Sequence, residues 1–234
     1  MQAVVLAGGL ATRMRPQTLR VPKSLLEVAG RPFVDWQLDR LARCGFDHVV
    51  MCVAHLGDQI RAHVGDGSRF GLRVAWSEEG AKLLGTGGAL RAALPLLAPS
   101  FLLTYGDSFL QFDYAEPLRI LDAHSDCDGV MAVFKNDGRW DASNVRYSAG
   151  WVVAYQKGAA DAAFDHIDYG AMALRRGVIE ALPEGAVLGL DVVQSDLSAR
   201  KRLRACVARE RFYEIGSPSG LAELDLFLRT RVAP

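Results

Sequence analysis

Short apolar runs alternate with amphipathic stretches through the first half of the chain. Residues 3–6 form an uninterrupted apolar run, as expected of a strand buried on both faces of a sheet. Similar runs predict further strands at residues 48–53, 72–76, 101–105 and 130–134. Apolar residues at helical spacing predict helices at residues 32–44, 58–64, 88–97 and 114–123. This alternation predicts an α/β fold, a Rossmann-like, mostly parallel mixed sheet with helices on both faces.

The pattern changes after residue 134. Ser148-Ala149-Gly150 separates two short apolar runs, which predicts a hairpin. The elements predicted in this half are strands at 144–147, 152–155, 165–173, 203–207 and 211–215, and helices at 178–182 and 217–228. We expect one domain over residues 1–234, with a core at 1–134 and a small lobe plus C-terminal helix at 135–234.

Composition narrows the class of partner. The 234 residues carry a formal net charge of zero, and half of them are hydrophobic. We expect no nucleic-acid partner, because such proteins usually carry an excess of basic residues. No run approaches the roughly 20 apolar residues of a membrane helix, so we expect no membrane partner either. The four cysteines lack disulfide or metal spacing, and the first residues do not resemble a signal peptide, which together favour a cytoplasmic location.

The strongest chemical signal follows the first strand. Gly8 and Gly9 let the main chain approach a phosphate, and their N–H groups can face its oxygens. Arg13, Arg15 and Lys23 add three cations within a short stretch. Such a loop suits a triphosphate of about four negative charges. It is neither a Walker loop nor a dinucleotide fingerprint, because the glycine and lysine spacing differs from both.

Two later segments belong to the same predicted edge of the sheet. Gly85, Gly87 and Gly88 precede a helix and permit close contact with a flat ligand, while Glu79 can read a base edge. Asp107 ends the strand at 101–105, where a carboxylate can meet Mg²⁺ beside phosphates.

The stretch from Gly8 to Lys23, continued by residues 27–32, resembles the signature of the sugar-1-phosphate nucleotidyltransferase family. That family includes glucose-1-phosphate thymidylyltransferases, mannose- and heptose-1-phosphate guanylyltransferases and N-acetylmuramate-1-phosphate uridylyltransferases. The resemblance is strong from residue 1 to about residue 113 and weak beyond. It implies a Mg²⁺-dependent transfer of a nucleotidyl group from an NTP to a sugar 1-phosphate, for cell-envelope glycan synthesis. It also implies a nucleotide-binding core and a sugar-binding lobe.

The resemblance assigns roles to individual residues. Arg13 is expected to hold the departing pyrophosphate and Lys23 to stabilise charge on the α-phosphate, so these two and Asp107 form the expected catalytic set. Ala11 stands where the family commonly has glycine, and we expect it to narrow the loop. The expected nucleotide-binding residues are Leu6, Ala7, Gly8, Gly9, Thr12, Arg13, Glu79, Gly85, Gly87, Gly88 and Asp107.

The resemblance also points to a second metal ligand and a sugar site. Glu214 occupies a position where the family often has aspartate, so Asp107 and Glu214 are the expected metal ligands. Lys157 lies in a segment similar to the family's Glu-Lys-Pro and is expected to meet the sugar phosphate. The other expected sugar-phosphate contacts are Asn144, Asp168 and Tyr169.

No general base is expected, because the attacking phosphate oxygen is already anionic, and no Ser/His/Asp or Cys/His set is visible.

Three alternatives stay open. The chain can be a non-catalytic nucleotide-binding homologue, which the change to Glu214 favours. It can be a cytidylyltransferase for a non-sugar phosphate. It can also be a glycosyltransferase built on Asp126-Cys127-Asp128.

The Gly-Thr-Gly-Gly segment and the short chain favour guanylyl transfer to heptose or mannose, or uridylyl transfer to an amino sugar. The oligomeric state is open, a homo-oligomer included.

Overall fold

Strands and helices alternate through most of the first half of the chain, as the apolar pattern predicts. The structure, a computed structural model, describes residues 1–80, 82–140, 142–158 and 163–232. Its strands in these ranges are β1 (Gln2–Leu6), β2 (Glu27–Val28), β3 (Arg31–Pro32), β4 (His48–Val53), β5 (Arg73–Glu78), β6 (Ser100–Tyr105), β7 (Ser108–Phe109), β8 (Gly129–Lys135), β9 (Val145–Ser148), β10 (Trp151–Tyr155), β11 (His166–Arg175), β12 (Leu203–Ala208) and β13 (Tyr213–Glu214). Its α-helices are α1 (Phe33–Arg43), α2 (Gly57–Val64), α3 (Gly85–Ala92), α4 (Glu116–Ala123), α5 (Arg176–Glu180), α6 (Leu190–Ala199) and α7 (Pro218–Val232).

Nine strands form one mixed sheet in the order β5-β4-β1-β6-β11-β8-β12-β10-β9. The first four are parallel to one another. β11 runs antiparallel to both β6 and β8, and β12 is again parallel to β8. The predicted mostly parallel mixed sheet is therefore confirmed.

Alternation along each central strand divides the core between the two faces of the sheet. In β1, Ala3 and Val5 belong to one buried cluster, whereas Val4 and Leu6 belong to the other. All four residues are at most 9% exposed. The central strand is therefore buried on both faces, which explains its continuous apolar sequence.

Helices cover both faces, as predicted. Residues of α1, α2 and α4 pack in the cluster that contains Ala3 and Val5. Residues of α3, α5 and α6 pack in the cluster that contains Val4 and Leu6. A third cluster lies beside the sheet, where α7 packs on β2, β7 and β13 through residues such as Leu224 and Ile215.

Helices α3 and α6 differ most from the sequence prediction. The helix expected at residues 88–97 begins earlier and ends at Ala92, before a short 3₁₀ turn that contains Pro95, which cannot donate to a helical hydrogen bond. Helix α6 was not predicted, because polar residues interrupt its apolar positions. Its buried side chains Leu190, Val193 and Leu197 nevertheless follow helical spacing. No helix in the described ranges is long and apolar enough to cross a membrane.

Candidate functional site

A cavity of about 280 Å³ opens at the carboxyl ends of β1 and β6. Parallel pairing of these strands, with Leu6 opposite Tyr105, brings the loops that follow them to one edge. In an open α/β sheet this edge is where ligands bind. Eight of the predicted site residues line the cavity, and they are Leu6, Ala7, Gly8, Gly9, Lys23, Glu79, Gly85 and Asp107.

Lys23 and Asp107 form an ion pair in the cavity wall. The distance from Lys23 Nζ to Asp107 Oδ2 is 2.7 Å, and the side chains are 16% and 29% exposed. The two residues are 84 positions apart in sequence, and the strand pairing brings them together. A partly desolvated cation beside a carboxylate is a suitable arrangement for binding a charged phosphate and its counter-ion.

Gly106 makes this placement of Asp107 sterically feasible. A Cβ built on Gly106 would lie 2.8 Å from the Ala7 Cβ and 3.1 Å from the Leu6 carbonyl oxygen. The Gly106 N–H donates to that same oxygen at 2.9 Å. Only glycine permits this approach, so the end of β6 lies directly against the end of β1.

Gly8 and Glu79 are neighbours in the cavity lining. A Cβ on Gly8 would lie 2.8 Å from Glu79 Oε1 and 3.2 Å from the Ala54 Cβ. The other carboxylate oxygen of Glu79 accepts a hydrogen bond from the Leu84 N–H at 2.6 Å. Glu79 therefore fixes the segment that leads into α3, with one oxygen beside the glycine loop.

The remainder of the glycine loop folds away from the cavity. Ala11 has φ 49° and ψ 41°, the left-handed conformation that glycine adopts most easily, which matches the glycine commonly found here in the resembling family. Thr18 Oγ1 closes the loop by donating to the Ala11 carbonyl at 2.8 Å. Thr12 and Arg13 are exposed in the turn between them and lie outside the cavity lining.

Arg13 and Glu214 converge at the start of α7. A Cβ built on Gly216 would lie 3.4 Å from Arg13 Nη2 and 3.9 Å from Glu214 Oε2. Pairing of β13 with β7 places Glu214 opposite Ser108, and the Ile215 N–H donates to the Asp107 carbonyl at 3.0 Å. Asp107 lies in the turn directly before β7 and Glu214 lies in β13, so the two predicted metal ligands are carried by adjoining segments.

This arrangement fits a Mg²⁺ ion. In proteins Mg²⁺ is usually bound by one or two carboxylates, with waters and substrate phosphates completing the shell. Asp107 lines the cavity and supplies one such carboxylate, whereas Glu214 lies outside the cavity lining, in the strand that pairs with β7. Within the described ranges no group of three or more His, Cys, Asp or Glu residues could hold a metal by protein ligands alone.

Gly87 and Gly88 are explained by packing rather than by contact with a base. Both N–H groups donate to the Leu188 carbonyl, at 3.0 and 3.2 Å. A Cβ on Gly88 would lie 2.5 Å from the Ala186 carbonyl oxygen, and one on Gly87 would lie 2.3 Å from Leu188 Cδ1. Neither residue lines the cavity, so this geometry gives them a packing role, and their predicted contact with a base stays a prediction. They allow the segment before α6 to lie against the first turn of α3.

Asp168 lies in a small crevice next to the cavity. A bulge in β11 interrupts its pairing with β8 between Asp168 and Met172, and such bulges redirect side chains. The carboxylate accepts hydrogen bonds from Gln194 Nε2 at 2.6 Å and from the Gly170 N–H at 2.9 Å. Burial raises the pKa of Asp168, and these two hydrogen bonds oppose that rise. Tyr105 lines both the crevice and the cavity.

The other predicted sugar contacts lie in different environments. Asn144 Oδ1 accepts a hydrogen bond from the Asp168 N–H at 2.8 Å, so Asn144 stabilises the main chain of a residue that lines the crevice. Lys157 is exposed in the turn after β10 and lines neither cavity nor crevice. Tyr169 is 1% exposed, and its hydroxyl donates to the Glu210 carbonyl at 2.8 Å. Its predicted sugar contact is wrong, because the core uses both its ring and its hydroxyl.

Several lining residues were not predicted. Tyr105 and Gly106 directly precede Asp107, and Thr86 follows the first glycine of α3. The sequence offered one signal for them, which is that they lie next to predicted site residues at the ends of strands and helices. Cys52 also lines the cavity, and burial raises the pKa of its thiol to about 12, so it remains protonated.

Asp126 and Asp128 do not form a metal site. Asp126 pairs with Arg204 at 2.7 Å, and Asp128 accepts two hydrogen bonds from Arg202, at 2.7 and 2.8 Å. Both aspartates precede β8, whereas the cavity lies at the carboxyl edge of the sheet. The Asp-x-Asp pattern that suggested a glycosyltransferase is therefore a turn whose two aspartates pair with arginines.

Comparison with known proteins agrees with this geometry. Residues 3–187 match the model of the MobA-like NTP transferase domain. An N-acetylmuramate alpha-1-phosphate uridylyltransferase from Neisseria meningitidis is 45% identical over 115 residues, which cover 49% of this chain and 50% of the relative. A mannose-1-phosphate guanylyltransferase from Mycobacterium tuberculosis is 32% identical over 193 residues, which cover 81% of this chain and 53% of the relative.

Solved structures share the fold. A UDP-glucose pyrophosphorylase from Acinetobacter baumanii superposes with a TM-score of 0.81 at 14% identity, covering 99% of this chain and 94% of that one. At this identity the likeness concerns the fold alone. The chain spans about half the length of the two curated relatives that it matches.

Proposed function

This chain belongs to the MobA-like NTP transferase family, and on that premise we propose that it transfers a nucleotidyl group from an NTP to a sugar 1-phosphate. The products are an NDP-sugar and pyrophosphate. The observation that carries the proposal is the Lys23–Asp107 pair, at 2.7 Å, in the wall of the cavity beside Gly8 and Gly9. It combines a phosphate-binding loop, a cation and a metal-type carboxylate at one edge of the sheet.

The proposed reaction is an in-line displacement at the α-phosphorus. A phosphate oxygen of the sugar 1-phosphate forms the new P–O bond, and the bond to the leaving pyrophosphate breaks. The nucleophile is already anionic, so positioning and charge neutralisation suffice. In this mechanism Lys23 stabilises charge on the α-phosphate, while Arg13 holds the departing pyrophosphate.

Asp107 and Glu214 are the residues that would hold Mg²⁺. The ion supplies neutralisation of phosphate charge and a template for the reacting oxygens. The pairing of β7 with β13 supports this assignment, because it brings the segment that carries Glu214 beside the turn that carries Asp107. We propose that Asp168 binds the sugar hydroxyls, because its crevice adjoins the cavity: Tyr105 lines both.

We further propose uridylyl transfer to an amino-sugar 1-phosphate as the first substrate pair to test. The support is the 45% identity to a relative named for that activity. A cytoplasmic location, where NTPs are abundant, accompanies this proposal.

The experiment is pyrophosphate release across four NTPs and a panel of sugar 1-phosphates, with and without Mg²⁺. The panel includes N-acetylmuramate α-1-phosphate and mannose 1-phosphate. Release by one pair, abolished by removing the metal, is the expected result and identifies both substrates. Silence across the panel, despite measurable NTP binding, would contradict catalysis and favour a binding homologue.

A further inference from the structure

Gln37 lies in α1 directly beside the turn that carries Asp107. Its side chain is buried, with 2% of the residue exposed. Gln37 Nε2 donates to the Tyr105 carbonyl at 2.7 Å and to the Ser108 carbonyl at 3.3 Å. These two carbonyls bracket Asp107 in sequence. We propose that Gln37 is a positioning residue that determines where the Asp107 carboxylate lies, an inference that rests on the proposed function of that carboxylate.

The nitrogen and the oxygen of the Gln37 side-chain amide differ in their hydrogen bonding, and this difference favours the positioning role. Its Nε2 serves two carbonyls, whereas its Oε1 is buried and has no hydrogen-bond partner in the described part of the chain. A buried unpaired acceptor destabilises a fold, so general stability does not explain an amide here. The two carbonyls fix its orientation, because a flipped amide would place oxygen against oxygen.

Helix α1 is a firm support for such a contact. Val34, Leu38 and Leu41 of this helix are all fully buried against the sheet. The turn has other contacts as well. The Gly106 N–H donates to the Leu6 carbonyl, the Asp107 carbonyl accepts from Ile215, and Lys23 pairs with the Asp107 carboxylate. Gln37 adds the link from the helix to both sides of the turn.

Gln37 acts through the main chain, since it is not among the residues that line the cavity. Removal of its amide would therefore leave the nucleotide-binding surface in place. It would free the Tyr105–Ser108 turn to move, and with it the carboxylate that we assign to the metal. Residues that orient a metal ligand in this way typically change metal affinity or activity by about 10- to 100-fold when replaced.

The test compares Gln37→Leu with Gln2→Leu as a matched control. Gln2 is also a buried glutamine, 6% exposed, and its amide donates to the Leu96 carbonyl at 2.9 Å and accepts the Ala98 N–H at 2.6 Å. It lies at the start of β1, at the opposite end of the sheet from the cavity. A purely structural role predicts similar behaviour for the two variants.

The primary readout is calorimetric binding of Mg²⁺ in the presence of a non-hydrolysable analogue of the NTP used in turnover. We expect Gln37→Leu to weaken Mg²⁺ binding by about 10-fold or more, and to lower turnover in parallel. Gln2→Leu should lower the melting temperature at least as much while keeping wild-type Mg²⁺ affinity. Gln37→Met, which keeps an unbranched side chain, takes the place of the leucine variant if that protein does not fold.

Two results would overturn the inference, and they are distinguishable. Wild-type Mg²⁺ affinity in a folded Gln37 variant would reject the positioning role and leave the proposed function standing. Absence of both metal-dependent analogue binding and turnover in the wild-type protein would reject the proposed function and this inference together.

Discussion

At the scale of single residues, the ion pair between Lys23 and Asp107 is the feature on which the proposed chemistry depends. Asp107→Asn keeps the shape of the side chain and removes the charge that pairs with Lys23 at 2.7 Å. We expect turnover to fall by at least about 100-fold, because charge neutralisation at the phosphates is the main source of catalysis. The measurement is pyrophosphate release together with the melting temperature.

Asp128→Asn provides the control for that substitution. Asp128 is 26% exposed, against 29% for Asp107, and it also forms an ion pair at 2.7 Å, with Arg202. Its turnover should remain at the wild-type level. Unchanged activity in Asp107→Asn would exclude this carboxylate as the metal ligand.

Lys23→Ala should reduce the chemical step far more than it reduces stability. The pair is partly exposed, so solvent screens the carboxylate that the substitution leaves unpaired. We expect a loss of roughly 100-fold or more in kcat. Single-turnover kinetics and thermal unfolding measure the two effects separately. Normal turnover with a large drop in melting temperature would reverse the interpretation.

At the scale of elements, the contact between the start of α3 and the segment before α6 depends on glycine. Gly88→Ala would place a methyl group 2.5 Å from the Ala186 carbonyl oxygen, so main chain must move. We expect the free energy of unfolding to fall by about 1–3 kcal/mol, as for other overpacked sites. Urea denaturation measures this change.

Gly177→Ala is the matched control within a helix. Gly177 lies in α5, and a Cβ built there meets nothing within 4 Å. This substitution should leave stability unchanged or raise it by about 0.4–1 kcal/mol, because alanine restricts the unfolded chain. Equal destabilisation by both substitutions would indicate that helix position, and not the contact with residue 186, is responsible.

At the scale of the whole molecule, acid should weaken the fold through carboxylates paired with arginine. Hydrogen bonds from Arg204 and Arg202 hold the pKa values of Asp126 and Asp128 below their usual range. A carboxyl whose pKa is lower in the folded state stabilises the protein above its unfolded pKa of about 3.9 and loses that contribution as pH falls further. Asp168 acts in the opposite direction, since burial raises its pKa.

Urea denaturation at pH 7, 5 and 3 tests this balance. The free energy of unfolding should fall mainly below about pH 4, because these carboxyls protonate near about pH 3.9 in the unfolded state and only at lower pH in the folded state. High salt should reduce the effect, because the two ion pairs are partly exposed. A stability that is flat between pH 7 and pH 3 would contradict the assignment.

The sequence by itself determined the α/β class, the buried central strands and the chemistry at the strand ends. Residues 3–6 of β1 are buried on both faces of the sheet, so an uninterrupted apolar run is needed there and can be recognised from the sequence alone. The sequence also predicted that the glycine loop and Asp107 lie together, because parallel strands end at one edge of a sheet and the loops that follow them meet there.

Tertiary structure decided the features that depend on contacts between distant segments. Glycines look alike in sequence, yet Gly106 permits contact between the ends of two strands, while Gly87 and Gly88 permit contact between α3 and the segment before α6. Tyr169 looked like a polar candidate and became a core residue, because its hydroxyl finds a main-chain partner 41 positions away. Gln37 carried no signal at all, since the carbonyls that it binds come within reach only when α1 packs beside the end of β6.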